Sequence, residues 1–313
     1  MSRPEVLVAG RMPPNVLEQL EASFIVHRLP DDADEADEMI EAVGPHIRGV
    51  ATNAVQAPPV ETLERLPALE IMASSGIGTD ALNLDYAGRR GIRVTHTPDV
   101  LTEDVADAAI MLMLATSRQL VVADRNVRAG RWLEGLSLAH RVSGKRLGIL
   151  GLGRIGRAIA HRAAGFDMTI GYHQRRRNTD VAYRYHDSLV ALAAESDFLV
   201  VVVPGGAATD RMVDATVLEA LGPEGILVNV GRGSTVDEPA LIDALTQGHI
   251  RGAGLDVLAD EPHVPEALRT LDNVVLAPHY ASATVETRTA MGQLVVDNLR
   301  AHFAGQALLT PVA

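Results

Sequence analysis

The segment "RLGILGLGRIGRAIAHRAAGF" (residues 146–166) is the most informative part of the sequence. It reads as an apolar strand, a loop containing Gly151, Gly153 and Gly156, and the start of a helix. A GxGxxG pattern alone is weak evidence, but between a strand and a helix it predicts a dinucleotide-binding turn. The first glycine permits the tight turn, the second lets the backbone approach a pyrophosphate, and the third lets helix and strand pack closely. The helix N-terminus would then offer N–H groups to the phosphates; the alternative is an ordinary glycine turn.

Around this loop, the second half of the chain alternates apolar strands with helical segments. Most of these strands are apolar on both faces, as are parallel strands covered by helices. The predicted strands are Arg146–Leu150, Met168–His173, Phe198–Val203, Ile226–Val230, Ala253–Val257 and Val274–Ala277. Six such strands predict a doubly wound parallel-sheet α/β domain of the Rossmann type.

The first half of the chain repeats this alternation and predicts a smaller, flavodoxin-like parallel-sheet domain. Its predicted strands are Val6–Ala9, Phe24–His27, Gly49–Thr52, Glu70–Ser74 and Arg93–His96. The final helix, about Glu286–Phe303, is expected to return to this domain, which makes it discontinuous in sequence. We therefore predict the smaller domain at 1–98 and 286–313, and the Rossmann domain at 99–285.

A long segment, 97–130, lies at the junction of the two predicted domains. Thr102, with Glu103 and Asp104 after it, fits a helix N-cap followed by acidic first-turn residues. Gly130 fits a helix stop. The segment therefore predicts one long helix, which can bridge two domains.

The composition excludes several functional classes. A formal net charge of −12 argues against a nucleic-acid binder and against a binder of anionic membranes. The longest apolar runs, 108–115 and 198–204, are far short of a membrane span. Cysteine is absent, which excludes disulfides and thiolate metal sites, and no His/carboxylate cluster has ligand spacing. We expect no metal and a cytoplasmic location, because the first apolar run is too short for a signal peptide and a cysteine-free chain fits a reducing cytosol.

Three adjacent arginines in "YHQRRRN" (172–178) stand out in this acidic chain. They follow the second strand of the Rossmann domain, where an NAD site places a carboxylate on the adenosine ribose. Here the strand is followed by Gln174, Arg175 and Arg176, and guanidinium groups can hold a 2′-phosphate through charge-assisted hydrogen bonds. Two such bonds of about 1.5 kcal/mol each would favour NADP over NAD roughly 100-fold. A solvated basic turn is the alternative.

Residues able to do chemistry follow three successive strands, at the edge where ligands bind in such sheets. Arg232 follows the fourth strand, His279 the sixth, and Asp256, Asp260 or Glu261 the fifth. Arginine can hold a substrate carboxylate and polarise the neighbouring carbonyl, and histidine can give a proton to the oxygen as hydride arrives. A carboxylate beside the histidine would keep it charged and oriented. The set suits reduction of a 2-oxo acid, and the spacing does not choose between Asp260 and Glu261.

Over essentially its whole length the sequence resembles the D-specific 2-hydroxyacid dehydrogenases, most of all the glyoxylate/hydroxypyruvate and hydroxyphenylpyruvate reductase branch. The resemblance is carried by "TPDVLTEDVADAAI", "GLGRIGRAIA", "LGPEGILVNVGRGSTVDEPALIDAL", "GAGLDV" and "NVVLAPH". It implies NADPH-dependent reduction of a 2-oxo acid to the D-2-hydroxy acid, with glyoxylate or hydroxypyruvate favoured and hydroxyphenylpyruvate the runner-up. It also implies a homodimer formed through the cofactor domain, in which Trp132 either reaches the partner subunit or simply packs.

The resemblance further assigns site residues. The implied catalytic residues are Arg232 for the substrate, Glu261 as the acid paired with histidine, and His279 as the proton donor. The implied substrate contacts are Asn53, the amides of Ile77 and Gly78, and Arg232. The implied cofactor contacts are Gly151, Leu152, Gly153, Arg154, Ile155, Gly156, Gln174, Arg175, Arg176, Pro204, Val230 and Asp256, with Val230 and Asp256 on the nicotinamide side.

Three features depart from the family pattern. Arg176 adds a charge where a hydroxyl residue is often found, which strengthens the prediction of NADP. The segment "VVPGGAATD" (202–210) replaces a more usual Pro-Leu-Thr-rich one, which affects the contact expected of Pro204, and Tyr280 stands where a smaller residue is common. Two other functions fit the sequence less well. A dinucleotide-sensing interaction protein would not need Arg232, Glu261 and His279 together, and a metal-dependent dehydrogenase would need ligands that the sequence lacks.

Overall fold

The computed structural model describes residues 3–312, which divide into two compact units. Of the described residues, those up to Leu101 and those from Ser282 onward form the first unit, and Thr102–Ala281 form the second. The boundaries predicted from the sequence, 98/99 and 285/286, lie within four residues of these divisions.

The first unit contains a five-stranded parallel sheet with the strand order β2-β1-β3-β4-β5. The strands are β1 (Glu5–Val8), β2 (Ile25–Arg28), β3 (Ile47–Asn53), β4 (Ile71–Ser75) and β5 (Arg93–Thr95). The helices among them are α1 (Pro14–Ser23), α2 (Ala33–Val43), α3 (Val60–Glu64) and α4 (Leu84–Arg90), with a 3₁₀ turn at Gly44–His46. This strand order is the flavodoxin-like one, as predicted.

Alternate residues of these strands enter two separate cores because successive side chains of a strand point to opposite faces. Leu7 and Met72 lie in one core, whereas Val6 and Ile71 lie in the other. The second of these cores also contains the apolar face of the C-terminal helix, including Leu299. This helix runs Val285–Phe303 and is capped by Thr284, whose side chain accepts the amide hydrogen of Thr287; it belongs to the first unit.

The second unit contains a seven-stranded parallel sheet with the order β12-β11-β10-β9-β6-β7-β8. The strands are β6 (Arg146–Leu150), β7 (Thr169–His173), β8 (Arg184–Tyr185), β9 (Phe198–Val201), β10 (Ile226–Asn229), β11 (Gly252–Leu255) and β12 (Val274–Leu276). The helices are α5 (Thr102–Ser117), α6 (Leu120–Arg128), α7 (Arg154–Ala164), α8 (Leu189–Ala194), α9 (Ala215–Leu221), α10 (Glu238–Thr246) and α11 (Glu266–Thr270); the C-terminal helix of the first unit is α12. The strand order reverses between β6 and β9, so the glycine loop after β6 lies at the switch point where open α/β sheets bind ligands.

The prediction of one long helix over the segment 97–130 is wrong. The segment forms α5 and α6, which meet at an angle of 63°, because Gln119 adopts a left-handed conformation with φ of 51°. α5 buries nine of its residues, whereas α6 buries none, so the chain turns from the core onto the surface at this point. Thr102 is the first helical residue rather than a cap, and its buried hydroxyl has no hydrogen-bond partner in the described chain. Gly130, with φ of 75°, does follow the end of α6.

Within residues 3–312 no single helix has the length and hydropathy needed to cross a membrane. The bent pair α5–α6 meets the criterion by length and composition only.

Candidate active site

Each of the three glycines in the glycine loop has a different physical reason to be glycine. Gly151 has φ of 100°, which a residue with a side chain rarely adopts. A Cβ at Gly156 would collide with the carbonyl oxygen of Gly151, so only glycine lets α7 pack this closely on β6. A Cβ at Gly153 would meet no protein atom within 4 Å. Packing therefore does not require glycine at position 153. The remaining reason for a glycine there is that a ligand needs the space.

The N-terminus of α7 faces the end of the sheet at this loop. Its first backbone hydrogen bond runs from the Arg157 amide to the Gly153 carbonyl at 3.0 Å. The amide groups before Arg157 belong to the first helical turn, whose donors have no acceptor within the helix. Among the residues predicted to contact the pyrophosphate, Leu152 is buried, Ile155 is half-buried and Arg154 is exposed.

Gln174 connects the glycine loop to the turn that carries Arg175, Arg176 and Arg177, called the arginine turn below. Its side-chain oxygen accepts the amide hydrogen of Leu152 at 3.2 Å, and its side-chain nitrogen donates to the carbonyl of Arg176 at 2.8 Å. The hydroxyl of Tyr185, on the neighbouring strand β8, donates to the carbonyl of Gln174 at 3.1 Å. The turn after β7 therefore has a defined position relative to the glycine loop.

The three arginines of this turn are exposed cations. Arg175, Arg176 and Arg177 form no ion pair with any residue in the described part of the chain. Many arginines elsewhere are paired, for example Arg146 with Asp197 at 2.9 Å and Arg162 with Asp107 at 2.5 Å. The cluster of unpaired positive charge at the end of β7 is the environment that a 2′-phosphate requires.

The backbone at Arg232, just after β10, is held by the side chain of Asn229. The side chain of buried Asn229 donates to the carbonyl of Arg232 at 2.9 Å and accepts the amide hydrogen of Gly231 at 3.0 Å. A Cβ at Gly233 would collide with the carbonyl of Leu258, which explains why arginine is followed by glycine. The half-buried Arg232 is thereby fixed beside the loop that follows β11.

Glu261 and His279 form a direct pair. The Nδ1 atom of His279 lies 2.7 Å from one carboxylate oxygen of Glu261, and the other oxygen accepts the amide hydrogen of Leu258 at 3.0 Å. The side chain of Glu261 is 23% exposed and that of His279 is 29% exposed, so the pair is partly accessible. Asp260 is exposed, and its carbonyl, not its side chain, accepts the amide hydrogen of His263. The structure thus selects Glu261 over Asp260, which the spacing alone left open.

The environment of Glu261 favours its ionised form. Burial on its own would raise the pKa of this carboxyl group. The hydrogen bond and charge of His279, the amide of Leu258 and the charge of Arg232 together outweigh burial and hold the pKa below its ordinary value. Glu261 is therefore a carboxylate at neutral pH, and Arg232 lies near enough to influence its charge.

Asp256 has contacts that the sequence did not predict. It is buried at the end of β11, and its two carboxylate oxygens accept the amide hydrogens of Tyr280 and Ala281 at 2.9 and 3.1 Å. Its carbonyl accepts the amide hydrogen of His279 at 2.7 Å. The carboxylate expected on the nicotinamide side thus engages the loop that carries the histidine.

Two further residues expected at the cofactor lie in different environments. Val230 is buried, and its amide donates to the carbonyl of Val201 at 3.1 Å. Pro204 is exposed, and its carbonyl accepts from the hydroxyl of Thr209 at 2.7 Å. Both follow neighbouring strands, β10 and β9, at the ligand-binding edge of the sheet.

The residues predicted to contact substrate from the first unit lie at the carboxyl ends of β3 and β4. The side-chain oxygen of Asn53 accepts the amide hydrogens of Val55 and Gln56 at 3.0 and 2.8 Å, so its role there is to shape its own loop. Ile77 and Gly78 are half-buried in the turn after β4. That turn is anchored by Gly76, whose amide donates to the hydroxyl of Thr97 at 2.8 Å.

Sequence reasoning missed Asn229 as a functional residue. The signal was present in "ILVNVGRG", where one amide side chain interrupts an apolar strand just before the arginine loop. A buried polar side chain needs hydrogen-bond partners, so such a residue at the end of a strand indicates a loop held in a fixed position.

The site fits a dinucleotide. The switch-point loop, the open space at Gly153 and the unpaired arginines suit a pyrophosphate and a 2′-phosphate beside the adjacent strands β6 and β7. Among residues 3–312, no group of three histidine, cysteine or acidic side chains is arranged to hold a metal ion.

Comparison with known proteins identifies the family. Residues 110–281 match the family model described as D-isomer specific 2-hydroxyacid dehydrogenase, NAD binding domain. Glyoxylate/hydroxypyruvate reductase A of Arabidopsis thaliana is 53% identical and hydroxyphenylpyruvate reductase of Plectranthus scutellarioides 50% identical, each over 267 residues and 85% of both chains.

Among solved structures, the NADPH-dependent glyoxylate/hydroxypyruvate reductase of Sinorhizobium meliloti, in complex with NADP and malonate, is 48% identical. It superposes with a TM-score of 0.94 over 100% of this chain and 97% of that one. The matched domain, the sequence identities and this agreement in fold show that the chain belongs to the D-isomer specific 2-hydroxyacid dehydrogenases.

Proposed function

We propose that the protein reduces a 2-oxo acid to the D-2-hydroxy acid with NADPH. The observation that carries this proposal is the 2.7 Å pair between His279 and Glu261, with Arg232 on the adjacent loop. An ionised carboxylate, an imidazole and a guanidinium in one cluster provide a substrate-binding cation and a proton donor. A protein that only sensed a dinucleotide would not need this cluster.

Each residue of the cluster has a definite task in this proposal. Arg232 binds the substrate carboxylate and polarises the adjacent carbonyl. His279, bonded to Glu261 through Nδ1, presents Nε2 and gives its proton to the carbonyl oxygen. Glu261 orients the imidazole and stabilises its protonated form. Bound NADPH supplies the hydride that the carbonyl carbon accepts.

The preference for NADPH rests on the turn after β7. Arg175 and Arg176 are exposed, lack ion-pair partners in the described chain and follow the strand that ends at the adenosine ribose in this fold. Gln174 holds the turn against Leu152 of the glycine loop. We propose that the two guanidinium groups bind the 2′-phosphate.

Glyoxylate and hydroxypyruvate are the favoured substrates, because the Arabidopsis and Sinorhizobium relatives are named for them. An aromatic 2-oxo acid is the second candidate, since the Plectranthus relative, at 50% identity, is a hydroxyphenylpyruvate reductase. Steady-state kinetics with a panel of 2-oxo acids at fixed NADPH would rank them. A higher kcat/KM for hydroxyphenylpyruvate than for glyoxylate and hydroxypyruvate would select the second candidate.

The decisive test of the reaction is removal of the proton donor. We expect His279→Ala to abolish most turnover while leaving the Kd for NADPH, measured by fluorescence titration, largely unchanged. The matched control is His263→Ala, because His263 is an exposed histidine near the same loop. Turnover that persists in His279→Ala, or a wild-type protein that reduces no 2-oxo acid in the panel, would reject the proposal.

We also propose that the protein is a homodimer. The surface from α6 to residue 138 exposes several large apolar side chains, among them Trp132 at 75%, Leu133 at 94% and Leu138 at 93%. Exposed apolar surface of this kind marks an interaction site. Light scattering should give the mass of two chains, and the double variant Leu133→Asp/Leu138→Asp should give the mass of one. The substrate contacts of Asn53, Ile77 and Gly78 and the cytoplasmic location stay predictions from the sequence.

A further inference from the structure

His279 has an unusual backbone. Its φ is 50°, in the left-handed region that a residue with a side chain rarely adopts. Five other non-glycine residues among those described also have positive φ: Asn83, Asp99, Gln119, Asp167 and Arg211. His279 is the residue proposed to carry the proton. Its left-handed conformation sets the path of the chain from β12 into the following loop. A disfavoured conformation at such a place persists only when surrounding contacts determine it.

The contacts that determine it come from one residue. Asp256 accepts the amide hydrogens of Tyr280 and Ala281 through separate carboxylate oxygens, and its carbonyl accepts that of His279. Three consecutive amides of the histidine loop are thus bound by one aspartate. Asp256 is only 2% exposed, and its own amide donates to the carbonyl of Asn229 in the adjacent strand. The aspartate is therefore fixed by the sheet and in turn fixes the loop.

We propose that Asp256 is a positioning residue for His279, which holds the left-handed backbone of the proton donor by binding the amides of Tyr280 and Ala281. This inference rests on the proposed function. Both carboxylate oxygens bind amides of the histidine loop, so the side chain of Asp256 serves the placement of that loop. Glu261 sets the direction of the imidazole ring, and Asp256 sets the backbone from which the ring extends.

Asp256→Asn is the sharpest test because it preserves size and removes one acceptor. The new NH₂ group must face one of the two amide hydrogens, so one hydrogen bond becomes a contact between two donors. We expect kcat to fall about 100-fold, since a small misplacement of a catalytic group has effects of this size. We also expect the melting temperature to fall, because an amide hydrogen loses its buried acceptor.

A double-mutant cycle with His279→Ala separates positioning from general destabilisation. If Asp256 acts through His279, Asp256→Asn should add no further loss to the residual turnover of His279→Ala. Additive losses in the double variant would overturn the proposal. The conservative variant Asp256→Glu keeps two acceptor oxygens on a longer side chain, and we expect its kcat to lie between those of wild type and Asp256→Asn. Should Asp256→Asn fail to fold, the cycle is measured with Asp256→Glu.

A crystal structure of Asp256→Asn provides a readout that does not depend on activity. We expect residue 279 to leave the left-handed region and the loop 279–281 to shift. An unchanged loop, or full activity in the variant, would overturn the positioning role and leave the proposed function intact. A wild-type protein that reduces no 2-oxo acid would reject the proposed function, whereas the crystallographic result would still decide whether Asp256 fixes the loop.

Discussion

Glu261 binds the imidazole of His279 with one carboxylate oxygen, at 2.7 Å, and the backbone of its own loop with the other, at the Leu258 amide. Because both oxygens are engaged, the carboxylate cannot rotate without breaking one contact. The orientation of the imidazole is therefore set by the fold of the loop after β11. The direction of Nε2 follows from this geometry. Glu261 therefore contributes by placing the proton donor as well as by carrying a negative charge.

Replacement of Glu261 by Gln should separate shape from charge. Glutamine retains the size and one acceptor oxygen, but it cannot stabilise a protonated imidazole by charge. We expect kcat to fall about 100-fold, at the lower end of the contribution of a general acid, with little change in the Kd for NADPH. Steady-state kinetics and fluorescence titration measure both. The control is Asp260→Asn, which removes the neighbouring exposed carboxylate and should leave kcat unchanged; similar losses in both variants would contradict the assignment.

The same substitution should alter the pH dependence of stability. The pKa of Glu261 is lowered in the folded protein from its ordinary value of 4.5. A carboxyl group with a lowered folded pKa stabilises the fold fully above its unfolded pKa, and this stabilisation is lost as pH falls through the folded pKa. We therefore expect the difference in melting temperature between wild type and Glu261→Gln to shrink as the pH falls below about 4.5. A difference that grows on acidification would contradict this sign.

The arginine turn predicts a graded loss of cofactor discrimination. Arg175→Ala/Arg176→Ala should lower the ratio of kcat/KM for NADPH to that for NADH by about 100-fold, the equivalent of two charge-assisted hydrogen bonds. Arg177→Ala is the matched control, because it removes an adjacent exposed guanidinium that is not assigned to the phosphate. An equal effect of all three arginines would indicate general electrostatic attraction. No change in the double variant would contradict the proposed 2′-phosphate site.

The sequence predicted the strands well because buried parallel strands are continuous apolar runs. The glycine loop indicated where the strand order of the sheet reverses. It failed on β8, whose two residues carry no apolar run, and on the break at Gln119, because the apolar pattern continues through it. Neighbouring acids gave no reason to prefer Glu261 over Asp260, since only the path of the loop decides which one reaches the histidine. The contacts of Asp256 with the histidine loop depend on amides 24 and 25 residues away, which no local pattern reveals.

Two glycines of the glycine loop should respond differently to the same added methyl group: one substitution should affect stability and the other cofactor binding. Gly156→Ala places a Cβ against the carbonyl of Gly151, and neither backbone can yield easily, so we expect destabilisation of about 1–3 kcal/mol. Gly153→Ala places a Cβ where no protein atom lies within 4 Å, so the melting temperature should be unchanged. The added methyl group at 153 would instead occupy the approach to the pyrophosphate and weaken NADPH binding.

Thermal melts and NADPH titrations on both glycine variants complete this comparison. The result that supports a phosphate site is a stable Gly153→Ala protein with a raised Kd for NADPH. If Gly153→Ala binds NADPH as tightly as wild type, the open space beside the helix N-terminus is not the approach of the pyrophosphate, and the loop is an ordinary turn required only for packing. Because stability and binding are read separately, loss of the fold in Gly156→Ala cannot be mistaken for loss of a cofactor contact.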